Sequence, residues 1–82
     1  MSYSYQILTK ILNENFGVFL FDNEQEDFPI SDYIYDSIMF IQFIISIEEE
    51  IGRDLPDDFL NIEILGSAKG FVEMLDSYIE SV

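Results

Sequence analysis

The sequence predicts a single all-α domain spanning residues 1–82, a small acidic bundle of three main helices and one short helix. Apolar side chains recur at helical spacing in three segments, and glycines separate these segments. Hydrophobic residues make up 49% of the 82-residue chain, more than a disordered acidic tail would contain. We therefore expect the chain to fold around one simple core.

The first helix is predicted from about Tyr3 to Phe16. Ser2 or Ser4 is a candidate N-cap, and Gly17 is suited to end the helix because glycine tolerates the left-handed conformation. One face of this segment is apolar, with Ile7 beside it: Leu8, Ile11, Leu12 and Phe16. We expect this helix to serve only the core.

A long loop is predicted from about Val18 to Tyr35, because a short apolar run is followed by the polar run DNEQED and by Pro29. Loops of this length are unusual in small domains. We expect apolar side chains to hold the loop against the bundle: Val18, Leu20, Phe21, Phe28, Ile30, Tyr33 and Ile34.

The second helix is predicted from Ser37 to about Ile51, with Asp36 as its N-cap and Gly52 at its end. Its first turns are apolar nearly all round, and Ile38 is expected to begin its packing. Either this is the central core helix, or part of its apolar surface faces a partner or ligand.

The remaining chain is predicted to form a turn at 53–56, a short helical segment over about Pro56–Leu60, and a last helix. Ser67 is the candidate cap of the last helix, which is expected to end near Ile79. Its apolar face consists of Ala68, Phe71, Val72, Leu75 and Ile79.

The composition argues against several classes of function. The chain has no cysteine and no histidine, so the commonest metal ligands and general bases are missing, and we expect neither a metal site nor an enzyme. A net charge of -14 disfavours nucleic acid and anionic membranes. It is compatible both with a protein partner that has a basic patch and with acidity that only keeps a small hydrophobic domain soluble. No signal peptide or transmembrane segment is predicted, and a cytoplasmic monomer is expected.

Asp36-Ser37 is the candidate functional site. A serine in the first turn of a helix is accessible to a modifying enzyme, and the free backbone N–H groups there favour a phosphate. Taken alone, the dipeptide is better explained as an ordinary helix cap.

The wider pattern resembles the acyl and peptidyl carrier proteins, whose motif is Asp-Ser-Leu. Asp36-Ser37-Ile38 opens an apolar helix, the segment IEEEIG at 47–52 closes it, and Leu55-Pro56-Asp57 follows. The resemblance covers the whole chain and implies the four-helix carrier bundle. It also implies that a phosphopantetheinyl transferase, recognising Asp36 and Ile38, attaches phosphopantetheine from coenzyme A to Ser37 with magnesium. The thiol of this group would hold an acyl or aminoacyl cargo as a thioester, and the carrier itself would catalyse nothing.

The resemblance further implies that loading enzymes and downstream synthases or transferases dock on the helix that Ser37 opens. The matching docking positions are Met39, Gln42, Ile45, Glu48 and Glu49. Fatty-acid carriers often have acids at the first two of these positions, and a glycine where this chain has Ile34. The departures favour a D-alanyl, aminoacyl or peptidyl carrier, or a stand-alone carrier of specialised biosynthesis.

Two alternatives concern the same residues. Ile45 is equally compatible with the core, and Glu48 and Glu49 with a solvated helix end. The chain as a whole could instead be an unmodified acidic helical adaptor that binds a basic partner through the surface of Met39, Gln42, Ile45 and Glu49.

Overall fold

The computed structural model describes residues 3–19 and 27–80, and this part of the chain is all-α, without strands. Its α-helices are α1 (Tyr3–Phe16), α2 (Ser37–Ile51) and α3 (Ala68–Glu80). Short 3₁₀ segments cover Ile30–Asp32, Asp57–Leu60 and Ile62–Gly66. Among the helices described here, none has the length and apolar character needed to cross a membrane.

Glycines end the first two helices, as predicted. Gly17 has φ 68° and Gly52 has φ 75°, both in the left-handed region. After α1, the Val18 amide donates to the Leu12 carbonyl at 2.9 Å, and after α2 the Gly52 amide donates to the Glu48 carbonyl at 2.8 Å. These bonds satisfy carbonyls that a helix end otherwise leaves unbonded.

One of the predicted helix caps is wrong. Ser4 lies inside α1 and is fully buried, so it is not the cap of that helix; Ser2 lies outside the described residues. At α3, the Ser67 hydroxyl oxygen accepts a hydrogen bond from the Gly70 amide at 3.0 Å, which confirms Ser67 as a cap.

Helix α1 packs against both α2 and α3 around an aromatic centre. The Phe43 ring centroid lies 5.4 Å from that of Phe71 and 6.3 Å from that of Phe16. Phe71 in turn contacts Phe59 edge-on at 5.9 Å. This chain of rings joins all three helices to the Asp57–Leu60 segment, and edge-on contacts add to the free energy gained from burial.

The loop after α1 is held against the bundle where the structure describes it. Ile30 and Ile34 are fully buried, and the Phe28 carbonyl accepts a hydrogen bond from the Ala68 amide at 2.8 Å. The predicted anchors Leu20 and Phe21 lie outside the described residues. The short helix predicted near Pro56–Leu60 is 3₁₀ in form, and a second 3₁₀ segment follows it at Ile62–Gly66.

Helix α2 buries one face only. Its core side chains are Phe40, Phe43, Ile44 and Ile47. The opposite face carries large apolar side chains that are exposed to solvent, above all Ile38 and Ile41. Helix α2 therefore contributes to the core with one face and presents an apolar surface to solvent with the other. The two alternatives that the sequence left open, a core helix or a partly exposed apolar helix, are thus both partly correct.

Candidate functional site

Ser37 is the first residue of α2, and its position is set by Asp36. Asp36 has extended backbone angles, φ -135° and ψ 167°, and its carboxylate accepts a hydrogen bond from the Met39 amide at 2.8 Å. Its backbone carbonyl accepts from the Phe40 amide at 2.9 Å. The predicted N-cap is thus confirmed, and the Ser37 side chain is exposed at the helix start.

Backbone N–H groups at Ser37 lack intrahelical partners. The amides of Ser37 and Ile38 lie in the first turn of the helix, so no carbonyl of the same helix is available to accept their hydrogen bonds. The Asp36 carboxylate is directed to the Met39 amide, further along the turn. Backbone N–H groups and the positive end of the helix dipole therefore remain next to the serine hydroxyl, and this donor set suits a phosphate ester.

Three isoleucines form an exposed row behind Ser37, which we call the aliphatic stripe: Ile38, Ile41 and Ile45. They are 69%, 57% and 46% exposed, and Tyr35 just before the helix is 73% exposed. The expectation that Ile38 begins the packing is wrong, because α2 turns Phe40 and not Ile38 toward the core. Tyr35 and Ile41 were not identified from the sequence, although Ile41 stands at helical spacing from Ile38.

The three predicted docking positions nearest to Ser37, which are Met39, Gln42 and Ile45, differ in their exposure. Gln42 is exposed, and so is Ile45, which is therefore not a core residue. Met39 is half-buried and packs against the core. Gln42 and Ile45 also border a shallow groove of about 360 Å³ between α2 and the end of α1, where the Asn15 amide donates to the Ser46 hydroxyl at 2.7 Å.

The glutamates at the end of α2 have different surroundings. The Glu48 carboxylate accepts a hydrogen bond from the Leu55 amide at 2.8 Å and thereby holds the turn after the helix. Glu50 pairs with Lys10 at 3.0 Å, and this hydrogen bond and charge raise the pKa of Lys10 above its ordinary value. Glu49 is exposed, so it presents its charge to solvent.

The described residues contain no group of three or more carboxylates close enough to share a metal ion. Comparison with known proteins adds no relative: the chain matches no protein-family model, no curated protein and no solved structure. The features that bear on function are therefore those of the chain itself: the Ser37 junction, the aliphatic stripe and the acidic surface.

Proposed function

We propose that this protein is a carrier that holds an acyl or aminoacyl group as a thioester on a phosphopantetheine arm attached to Ser37. The observation that carries the proposal is the exposed Ser37 hydroxyl in the first turn of α2, with the Asp36 carboxylate bonded to the Met39 amide beside it. In this proposal the three α-helices and the 3₁₀ segments before α3 correspond to the four-helix carrier bundle, with the short third helix in 3₁₀ form.

The residues at the junction fit a phosphodiester. The Ser37 hydroxyl is accessible, and the amides of Ser37 and Ile38 offer hydrogen-bond donors to a phosphate. The Asp36 carboxylate accepts its hydrogen bond from an amide in the first turn of the helix that it caps. The attached group supplies a terminal thiol, a function that the chain lacks because it has no cysteine.

Attachment requires one displacement at phosphorus. The Ser37 oxygen forms a bond to the phosphorus of coenzyme A that bears the pantetheine, and the bond from that phosphorus to the leaving adenosine bisphosphate breaks. The hydroxyl proton passes to a base of the transferase, and magnesium bound with coenzyme A balances the phosphate charge. The chain itself exposes the serine to the transferase: Asp36 fixes the helix start, and the Ser37 side chain is exposed to solvent.

Partner enzymes are proposed to dock on α2 behind Ser37. The aliphatic stripe supplies apolar area, Gln42 adds a neutral polar group, and Glu49 adds an exposed charge. Met39 supports this surface from its half-buried position, and Glu48 orients the turn below it. The partners are the phosphopantetheinyl transferase, an enzyme that loads the cargo, and a synthase or transferase that accepts it.

Mass spectrometry of the intact protein tests the proposal. After incubation with coenzyme A, magnesium and a phosphopantetheinyl transferase of broad specificity, the wild type should gain the mass of one phosphopantetheine group. Ser37→Ala should gain nothing, whereas Ser31→Ala, which removes another exposed serine, should behave as the wild type. Ser37→Ala should cost about 0.5 kcal/mol of stability or less, because Asp36 forms the cap.

Absence of a mass gain in the wild type, or an equal gain in Ser37→Ala, would contradict the assignment. A second candidate function, the unmodified acidic adaptor, is favoured by one observation: the aliphatic stripe is exposed whether or not Ser37 is modified. The adaptor predicts that a host strain carrying Ser37→Ala keeps full function, and the carrier predicts that it loses function.

A further inference from the structure

A second concave surface lies between α3 and the segment that precedes it. It has a volume of about 490 Å³, and we call it the α3 groove. One wall is formed by residues of the 56–59 segment and the other by one face of α3. Its lining consists of Pro56, Asp58, Phe59, Glu73, Met74, Ser77 and Tyr78.

The α3 groove lies toward the end of α2 that is opposite to Ser37. The Tyr78 hydroxyl donates to the Asp54 carbonyl at 2.6 Å, and the Leu55 amide donates to Glu48 in the last turn of α2. Helix α2 has 15 residues and is therefore about 22 Å long. The groove is thus separated from Ser37 by most of the length of that helix, and none of its lining residues belongs to the Ser37 junction.

Aromatic contacts fix the floor of the groove. Phe59 is buried and meets the rings of Phe71 at 5.9 Å and of Tyr78 at 6.1 Å, both edge-on. The Arg53 guanidinium lies over the Tyr78 ring, 4.7 Å from its centroid. These contacts hold the Phe59 and Tyr78 side chains in place before any ligand arrives, which reduces the entropy cost of binding.

The rim of the groove is acidic. Asp58 on one wall and Glu73 on the other are exposed, whereas the apolar surface that a ligand can reach belongs to Pro56 and Met74, above the buried Phe59 ring. Among the described residues that line the groove, none is basic, and the Arg53 guanidinium lies beside the groove over the Tyr78 ring. The groove therefore combines an apolar floor with negative charge on both sides, and it lies in a chain whose net charge is -14.

We propose that the α3 groove binds a segment of a partner protein in which an apolar side chain is flanked by lysine or arginine. The apolar side chain covers Pro56 and Met74, and the flanking cations meet Asp58 and Glu73. A second copy of this chain is a poor occupant, because both copies carry the charge of -14 and repel each other. The proposal does not depend on modification of Ser37.

Amide chemical shifts of the ¹⁵N-labelled protein test the proposal, with the blocked peptide acetyl-Lys-Leu-Arg-Leu-Lys-amide as the probe. Saturable shifts should cluster at residues 56–59 and 73–78. The double variant Asp58→Asn/Glu73→Gln should raise the Kd about fivefold, since exposed ion pairs contribute modestly. The matched control Glu14→Gln/Glu63→Gln removes two exposed acids elsewhere and should stay within about twofold of the wild type.

A second peptide, with serine in place of both leucines, tests the apolar floor and should bind at least about fivefold more weakly. Equal binding of the two peptides, equal losses in the two double variants, or shifts spread over the whole acidic surface would each overturn the proposal. The titration is repeated with Ser37→Ala and should give the same Kd. An unchanged Kd would show that the peptide binds independently of Ser37. The two proposals can therefore fail separately, because loss of the carrier assignment would leave the peptide binding unchanged.

Discussion

The Asp27 carboxylate accepts a hydrogen bond from the Lys69 backbone amide at 2.9 Å, across 42 residues of sequence. Its other oxygen accepts from the Ser67 hydroxyl at 2.5 Å. Residues from the end of the long loop thus complete the N-terminal cap of α3, and the Phe28 carbonyl adds a bond from the Ala68 amide. The loop is joined to the bundle by this cap as well as by its buried isoleucines.

The Asp27 cap predicts a loss of stability in acid. The Lys69 amide and then the Ser67 hydroxyl lower the pKa of Asp27 below its ordinary value of 3.8. A carboxyl whose pKa is lower in the folded protein stabilises the fold above its unfolded pKa, and this contribution is lost as the pH falls through the folded pKa. The difference in Tm between the wild type and Asp27→Asn should therefore be largest above about pH 4 and should shrink as the pH falls below that range.

Thermal melts across this pH range measure the effect. Asp32→Asn is the matched control, because Asp32 is exposed and accepts none of the α3 cap bonds. A pH-independent difference between the wild type and Asp27→Asn would show that the carboxylate charge does not matter to the cap.

Ser4→Ala should stabilise the protein. The Ser4 hydroxyl is fully buried in α1 and has no hydrogen-bond partner within the described part of the chain. An unsatisfied buried polar group costs about 1–3 kcal/mol, and alanine is also the better helix former. We expect a gain of about 1 kcal/mol in the free energy of unfolding, measured in urea. A loss of stability would show that the hydroxyl has a bonded partner.

Alanine substitutions at the adjacent residues Glu48 and Glu49 should have different effects on stability. Glu48→Ala removes the acceptor of the Leu55 amide, so about 1.5 kcal/mol of stability should be lost. Glu49→Ala changes an exposed side chain and should stay within about 0.5 kcal/mol of the wild type. Urea denaturation of both variants measures the contrast. Equal effects would mean that the Glu48 bond contributes nothing to the turn.

The aliphatic stripe should matter for association and not for folding. Ile41→Ala should lower kcat/KM of the phosphopantetheinyl transferase about fivefold, because a central apolar contact is worth about 1 kcal/mol. Ile62→Ala removes an isoleucine of similar exposure in a 3₁₀ segment and is the control. Unchanged melting temperatures in both variants assign the effect to binding. A loss of equal size in Ile62→Ala would argue against a stripe-specific contact.

The acidic residues at the end of α2 are expected to accelerate association with the transferase through electrostatic attraction. Reversing the charges at Glu48 and Glu49 should slow association with the transferase and flatten its dependence on salt. Glu49→Lys alone should reproduce most of the effect, because Glu48 is bonded to the turn and Glu49 faces solvent. Stopped-flow association at several salt concentrations measures both quantities. Association rates that do not change with Glu49→Lys would exclude steering at this end.

Local signals in the sequence were sufficient to predict the helices. The ends of the first two helices at Phe16 and Ile51 follow from Gly17 and Gly52, and the start of α2 follows from Asp36, because caps and left-handed glycines act on neighbouring backbone groups. The same local chemistry identified Ser37 as the first residue of an exposed turn. Ser4 was misassigned because its neighbours do not reveal whether a serine caps a helix or enters the core.

The sequence by itself determined the helical class, the helix bounds, the acidic surface and the candidate attachment serine. Only the tertiary structure decided which face of α2 is exposed, since a helix that is apolar nearly all round presents no amphipathic contrast. It also decided that Glu48 bonds Leu55 and that Asp27 caps α3. Those contacts depend on how the elements pack in space, and no short-range pattern of residues encodes them.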